Sequence, residues 1–185
     1  IPAVGLVWPL AVCAGEVPAD AIGAGATLLS HHLVVHDVEG IGSGVYRWTA
    51  HGPELHRSGT LRREATAACL EQPLGGESAY TVFHLADLAR ILDGGGERAY
   101  RVVQFAAGVA SERLQLAAHT LGLGGTGLTF YDEEVRRFVD TTLDPMLVTA
   151  VGTPAYDPVP GERPADSPAA RLDALTGRRG AVEKE

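Results

Sequence analysis

The sequence predicts an α+β fold in which a central sheet, mixed or antiparallel, packs against one long core helix. Three observations lead there. β-branched segments are separated by helical ones without the strict one-for-one alternation of a doubly wound sheet. Two early segments are close enough to pair as a hairpin. One helical stretch beyond the middle is apolar around most of its circumference. With 185 residues, 45% hydrophobic and 21% charged, the chain is long enough for one domain with a real core.

The elements follow in order. Residues 1–30 are rich in Ala and Gly and contain no Lys or Arg. The opening "IPAVGLVWPLAVCAGEV" lacks a basic leader and is interrupted by two prolines, so a cropped or processed start is expected rather than a targeting segment. "HLVVHDV", His32 to Val38, has the β-branched density of a buried strand. "GIGSG" turns into "VYRWTAHG", where Val45, Arg47 and Thr49 alternate with Tyr46, Trp48 and Ala50. "HGPELHRSG" supplies the other hairpin arm, with a short strand at Glu54 to Arg57. Thr60 is the expected N-cap of a helix running through Leu70, with Glu64 near its positive end.

Tyr80 to Ala86, "YTVFHLA", is a second central strand. Asp87 opens a short helix that "DGGGE" ends. Glu97 to Leu121 forms the longest helix, stopped by Gly122. Asp132 to Val139 is a short helix with three acids at its start, and Met146 to Val151, "MLVTAV", is a third buried strand. Five prolines between Pro154 and Pro168 mark an extended arm. The expected division is a domain over 1–155, atypical in 1–30, and a Pro-rich arm and tail over 156–185.

Composition removes several functions. A formal net charge of -8 with no basic tract argues against nucleic-acid partners. No apolar run is long enough to span a bilayer. Cys13 and Cys69 show no metal spacing and read as two buried thiols in a reducing cytoplasm. His31, His32 and His36 lie on or beside one strand, His32 and His36 on one face and His31 on the other. No neighbouring Cys, Asp or Glu completes a zinc set by spacing, so these read as strand-edge or core histidines and no metal is expected. His51 and His56 belong to the hairpin and read as solvated. No Ser-His-Asp or Cys-His arrangement and no paired carboxylates stand out, so no catalytic residue is assigned.

The segment "GLGGTG" after the long helix reads as a flexible loop. It lies at a helix C-terminus, where the dipole disfavours phosphate, and is neither a Walker loop nor a Rossmann fingerprint. It is either a plain helix-to-strand connection or a place where a planar ligand touches backbone. Arg113 reads as a paired or snorkelling arginine, or as a contact near a subunit seam. Arg98 and Arg101 oppose the dipole of the long helix and call for partners or an anion. Phe130 and Tyr131 read as packing beneath the sheet, or as a ring edge lining a substrate.

"RAYRVVQFAAGVASERLQLAAHTLGLGGTGLTFYDEEV", followed by "MLVTAVGTP", resembles the C-terminal half of the nitroreductase superfamily, closest to its SagB-type dehydrogenase and thiazoline-oxidase branch. "HLVVHDVEGIGSGVYRW" is similar to that branch's strand and hairpin, and "CLEQPLGGESAYTVFHLADL" resembles the second half of tandem-domain members. The likeness covers about residues 31–155. It implies a nitroreductase-like sandwich, usually dimeric, with FMN at the interface and hydride exchange at the flavin. It also implies that Gly124, Gly125, Thr126 and Gly127 lie near the pyrimidine edge and N5 of FMN. Arg163 falls where members place a base for the FMN phosphate; as a residue it reads equally as a solvated part of the arm.

One part of the family pattern has no counterpart. The usual N-terminal helix motif, Arg-x-Ser-x-Arg-like, is missing; the first basic residue is Arg47, and only "AIGAGATLL" faintly echoes the family's Pro-Ser-x-Gly segment. A buried phosphate needs compensating donors. The resemblance therefore implies a homo- or hetero-oligomer with a nitroreductase-like chain that completes the site for a small-molecule or peptide-heterocycle substrate, or else a flavin-free half that braces an active partner.

Overall fold

In the computed structural model, residues 1–16 and 28–155 are described. Arg163 and the Pro-rich arm lie outside them, as does most of "AIGAGATLL". The fold is α+β, as the sequence predicts. Among the described residues eleven elements run α1 (Val4–Cys13), β1 (Ser30–Val35), β2 (Gly44–Thr49), β3 (Gly52–Ser58), α2 (Arg62–Ala68), α3 (Leu74–Glu77), β4 (Tyr80–Ala86), α4 (Leu88–His119), β5 (Gly124–Leu128), α5 (Asp132–Val139) and β6 (Asp144–Gly152).

The strands form one six-stranded sheet in the order β3-β2-β1-β4-β6-β5. Every neighbouring pair is antiparallel, so of the two sheet types expected the antiparallel one forms. β4 is buried along its whole length, as a strand covered on both faces must be. Residue alternation sorts the sheet's side chains into two layers. Leu33, Val35, Tyr80, Val82 and Val151 pack with Leu6 and Leu10 of α1 and Ala110, Leu114 and Ala118 of α4. Val34, Val45, Phe83, Leu85 and Val148 pack on the opposite face with Ala65 and Ala68 of α2 and Val135, Phe138 and Val139 of α5.

Several details depart from the sequence expectations. The apolar start is helical: Pro2 precedes α1, and Pro9 sits inside it without ending it. The helix after β3 begins at Arg62 with Leu61 as its cap residue and no side-chain capping bond, so Thr60 does not cap it. Asp87 does cap α4, accepting a bond from the Arg90 amide at 3.1 Å. Within α4, Gly96 leaves helical geometry (φ 62°, ψ -170°), a conformation glycine adopts at little cost. This break separates the short helix from the long one where "DGGGE" predicts it.

The long helix is not apolar-buried all round. Val103, Ala106, Ala107, Ala110, Leu114, Ala117 and Ala118 face the sheet, whereas Phe105 and Leu116 on its outer side are 56% and 55% exposed. Periodicity reveals apolar character but not which face this chain itself covers. Among the described residues no helix is long and apolar enough to cross a membrane.

Candidate functional site

The glycine segment is not a loop. Gly122 (φ 73°) turns the chain after α4, and residues Gly124 to Leu128 then form β5, paired with β6 from Gly124↔Gly152 to Leu128↔Val148. Glycine is a poor strand former by itself. The nine-residue β6 supplies the ladder that the glycines lack the propensity to make alone.

Among the described residues β5 is an outermost strand of the sheet: one side of its backbone bonds to β6 and no described strand pairs with the other. Gly124 and Gly125 are half-buried, Thr126 and Gly127 exposed. The one side chain among these four residues belongs to Thr126, whose hydroxyl turns back to the Gly127 carbonyl at 3.4 Å. This edge has no Cβ at Gly124, Gly125 or Gly127 and fits the rim of a flat ring, which backbone N–H and C=O groups could meet in plane. Beneath it, Gln115 of α4 fills the space under Gly125: a Cβ there would stand 2.8 Å from Gln115 Cγ.

Gln115 ends a row of polar groups beneath the sheet. Its Nε2 donates to Ser111 Oγ at 3.1 Å. Ser111 Oγ lies 2.8 Å from Thr149 Oγ1, Thr149 Oγ1 lies 3.0 Å from His84 Nε2, and His84 Nδ1 lies 3.0 Å from His31 Nδ1. His31 and His84 sit opposite each other on β1 and β4, their rings edge to face. The fold also brings Cys13 of α1 to this pair. Its sulfur and a ring nitrogen of each histidine lie within 4.8 Å of one another, all three residues buried. Burial pushes the Cys13 thiol up to about 12, the Arg113 charge partly opposing it. Burial and then the neighbouring His32 bring His31 down to about 4, and His84 is lowered by burial and then by His31. Both rings are therefore neutral at physiological pH.

Spacing along the chain does not reveal this group, because its members come from α1, β1, β4, α4 and β6. The available signal is His84 in the middle of the apolar run "YTVFHLA", since a histidine buried in a central strand requires a partner. His36 is also buried, its Nε2 3.0 Å from the Gly75 carbonyl. His56 is exposed and meets Asp140 at 3.4 Å.

The remaining candidates separate. Arg113 donates to the carbonyls of Gly15 (3.0 Å) and Glu16 (2.8 Å) and so ties the end of α1 to α4. Arg98 and Arg101 line a hollow of about 440 Å³ with Val102 and Phe105. Phe130 packs against the α2/α5 side of the core, but Tyr131 is 51% exposed and does not lie beneath the sheet. A cavity of about 590 Å³ opens where β1 begins and β2 and β4 end, bordered by His31, Arg47, Trp48, Asp87 and Arg90. Cys13 and Cys69 are both free thiols.

Comparison with known proteins adds the lineage of this arrangement. The family model described as "Nitroreductase family" matches residues 27–153. A protein of Methanocaldococcus jannaschii classed as a nitroreductase is 30% identical over 136 residues, which is 70% of this chain and 67% of that protein. A solved nitroreductase-class structure from Anabaena variabilis superposes with a TM-score of 0.66 at 32% identity, over 69% of this chain but 27% of the other. This chain thus spans little more than a quarter of that protein. The E. coli microcin synthetase McbBCD complex, solved with truncated pro-MccB17 bound, shares the fold with a TM-score of 0.63 at 18% identity, over 80% of this chain and 62% of the matched one.

Proposed function

The chain belongs to the nitroreductase family, and from that premise we propose that it is an FMN-dependent oxidoreductase or a subunit of one, with a site completed by a second nitroreductase-like chain. The observation that carries this reading is the outward edge of β5, where three of four residues are glycine and the strand is outermost. When bound, FMN supplies the redox chemistry, accepting and returning a hydride. Gly124, Gly125, Thr126 and Gly127 would hold the rim of its ring through backbone N–H and C=O groups. Gln115 keeps the strand at a fixed height above α4.

The phosphate needs cations, and the glycine strand has none. We assign one to Arg163, whose guanidinium suits a bidentate phosphate contact, and the rest to the second chain. The outer face of α4, with Phe105 and Leu116, suits the subunit seam. Within the family we place the chain closer to the branch of SagB-type dehydrogenases and thiazoline oxidases, on the motif likeness over residues 31–155. The substrate class is a flat small molecule or a peptide heterocycle, in the cytoplasm.

The second reading is a flavin-free half that braces an active partner; the lack of any cationic side chain among Gly124, Gly125, Thr126 and Gly127 favours it. Purification of the chain alone and with its nitroreductase-like partner separates the two. Release of FMN on denaturing the complex, together with its loss in Gly127→Val, supports the oxidoreductase. A colourless, correctly assembled complex would sink that reading and leave the bracing role.

A further inference from the structure

We propose that Cys13, His31 and His84 form a binding site for a thiophilic d10 metal ion, Cu⁺ or Zn²⁺, beneath α1 and α4. This inference does not depend on flavin binding. Three side chains of the types that bind such ions converge from three elements, with one candidate donor atom each inside 4.8 Å. All three are buried, with Cys13 at 2%, His31 at 7% and His84 at 0% exposure. The chain's other free thiol, Cys69, packs among apolar side chains on the opposite face of the sheet.

The surrounding bonds decide which nitrogens would coordinate. His84 Nε2 is held by Thr149 Oγ1 at 3.0 Å, and Thr149 is in turn anchored by Ser111. A hydrogen bond to the remote ring nitrogen is how metal-ligating histidines are oriented. It leaves His84 Nδ1 facing His31 Nδ1 across 3.0 Å. Two nitrogens on one ion stand about 3.4 Å apart, given metal–nitrogen bonds of about 2.0 Å. The rings therefore separate by a few tenths of an ångström, and the Cys13 sulfur closes in.

Protons balance simply. Cys13 gives up its thiol proton to solvent as the sulfur–metal bond forms. His31, whose Nδ1 proton bridges to His84 Nδ1 without the ion, shifts that proton to its own Nε2 by exchange with solvent, and His84 keeps its proton on Nε2, donating to Thr149. Charge favours the monovalent ion. One thiolate, two neutral imidazoles and Cu⁺ sum to zero, so no net charge is buried, and soft sulfur ligation suits Cu⁺. Zn²⁺ would leave one positive charge and call for a fourth ligand, which a water from the cavity bordered by His31 could provide.

The test loads the untagged full chain with Cu⁺ under anaerobic reductant, or with Zn²⁺, and measures metal per chain after desalting. Co²⁺ serves as the spectroscopic probe. The expected result is one ion per chain, a raised Tm, and a near-ultraviolet sulfur-to-cobalt charge-transfer band. Cys13→Ser and His84→Gln should each weaken retention by about 100-fold or more, Thr149→Val by roughly 10- to 100-fold, and Cys69→Ser not at all. Higher retention of Cu⁺ than Zn²⁺ identifies the neutral three-coordinate site; the reverse identifies the water-completed one. Folded wild type that keeps no metal and shows no charge-transfer band overturns the proposal, as does a folded Cys13→Ser protein that binds as wild type does. Should His84→Gln fail to fold, the wild-type cobalt spectrum and its loss in Cys13→Ser decide the matter.

Discussion

Gln115 stands directly beneath Gly125, so close that a Cβ on the glycine would lie 2.8 Å from Gln115 Cγ and 3.3 Å from its Cα. The second distance matters more, because a side chain can swing aside and a helix backbone cannot. The spacing of α4 from β5 therefore favours glycine at position 125, and any side chain there must shift Gln115 and the helix by a few tenths of an ångström.

Gly125→Val should push β5 away from α4. The expected cost is about 1–3 kcal/mol, the range for overpacking. Chemical denaturation of the purified variant measures it, and a midpoint unchanged from wild type would contradict the packing described.

Gly127→Ala probes the ring-binding reading without this cost. The added Cβ would meet only the Val148 carbonyl, at 3.9 Å. Stability should stay within about 0.5 kcal/mol of wild type, while FMN content of the assembled complex falls. Retained stability with full flavin content would place the ring elsewhere.

The outer face of α4 yields a separate expectation. Phe105 and Leu116 are more than half exposed, so Phe105→Glu and Leu116→Glu should leave the chain's own fold intact and break its assembly. Light scattering coupled to size exclusion measures mass; unchanged oligomers in both variants would move the seam off this helix.

Acid should destabilise the protein through its buried histidines. His31 falls from an ordinary 6.5 to about 4 in the fold. Above pH 6.5 the ring is neutral in folded and unfolded chains alike, and stability is at its full value. As pH falls below 6.5 the unfolded chain takes up the proton first, and stability drops until about pH 4, by about 3 kcal/mol for this residue. His84 acts in the same direction. Denaturation midpoints across this range check the sign, and His31→Gln should flatten the slope.

Asp144 joins three elements. It pairs with Arg136 of α5 and accepts from the Leu88 amide at the start of α4 at 3.3 Å. The pair is about a third exposed, so screening limits its worth. Asp144→Ala should cost about 1 kcal/mol, less at high salt, as read by thermal melts at two ionic strengths.

Much of the fold was legible in the sequence because its strongest patterns are local. Tyr80–Ala86 and Asp132–Val139 have the predicted bounds, the first from a run of apolar and β-branched residues, the second from acids at its start and an apolar stripe. Helix α1 was obscured by Pro9, which a helix resting against α4 tolerates. The glycine strand has the composition of a loop because its order comes from β6 rather than from its own residues. The Cys13–His31–His84 group was out of reach for the same reason: its members are neighbours only once two strands pair and a helix closes over them. Phe105 and Leu116 on the outer side of α4 stay exposed, and periodicity marks an apolar residue without saying whether this chain covers it.

The position of β5 has one more consequence, for handling the protein. Among the described residues nothing pairs with its outer edge, and such a row of backbone donors and acceptors, with no bulky or charged side chain among its four glycine-segment residues, can zip onto the same row of a neighbouring molecule. Without an occupant along that rim, concentrated stocks should slowly precipitate as intermolecular sheet. Whatever ligand or subunit covers the rim would then also act as a preservative.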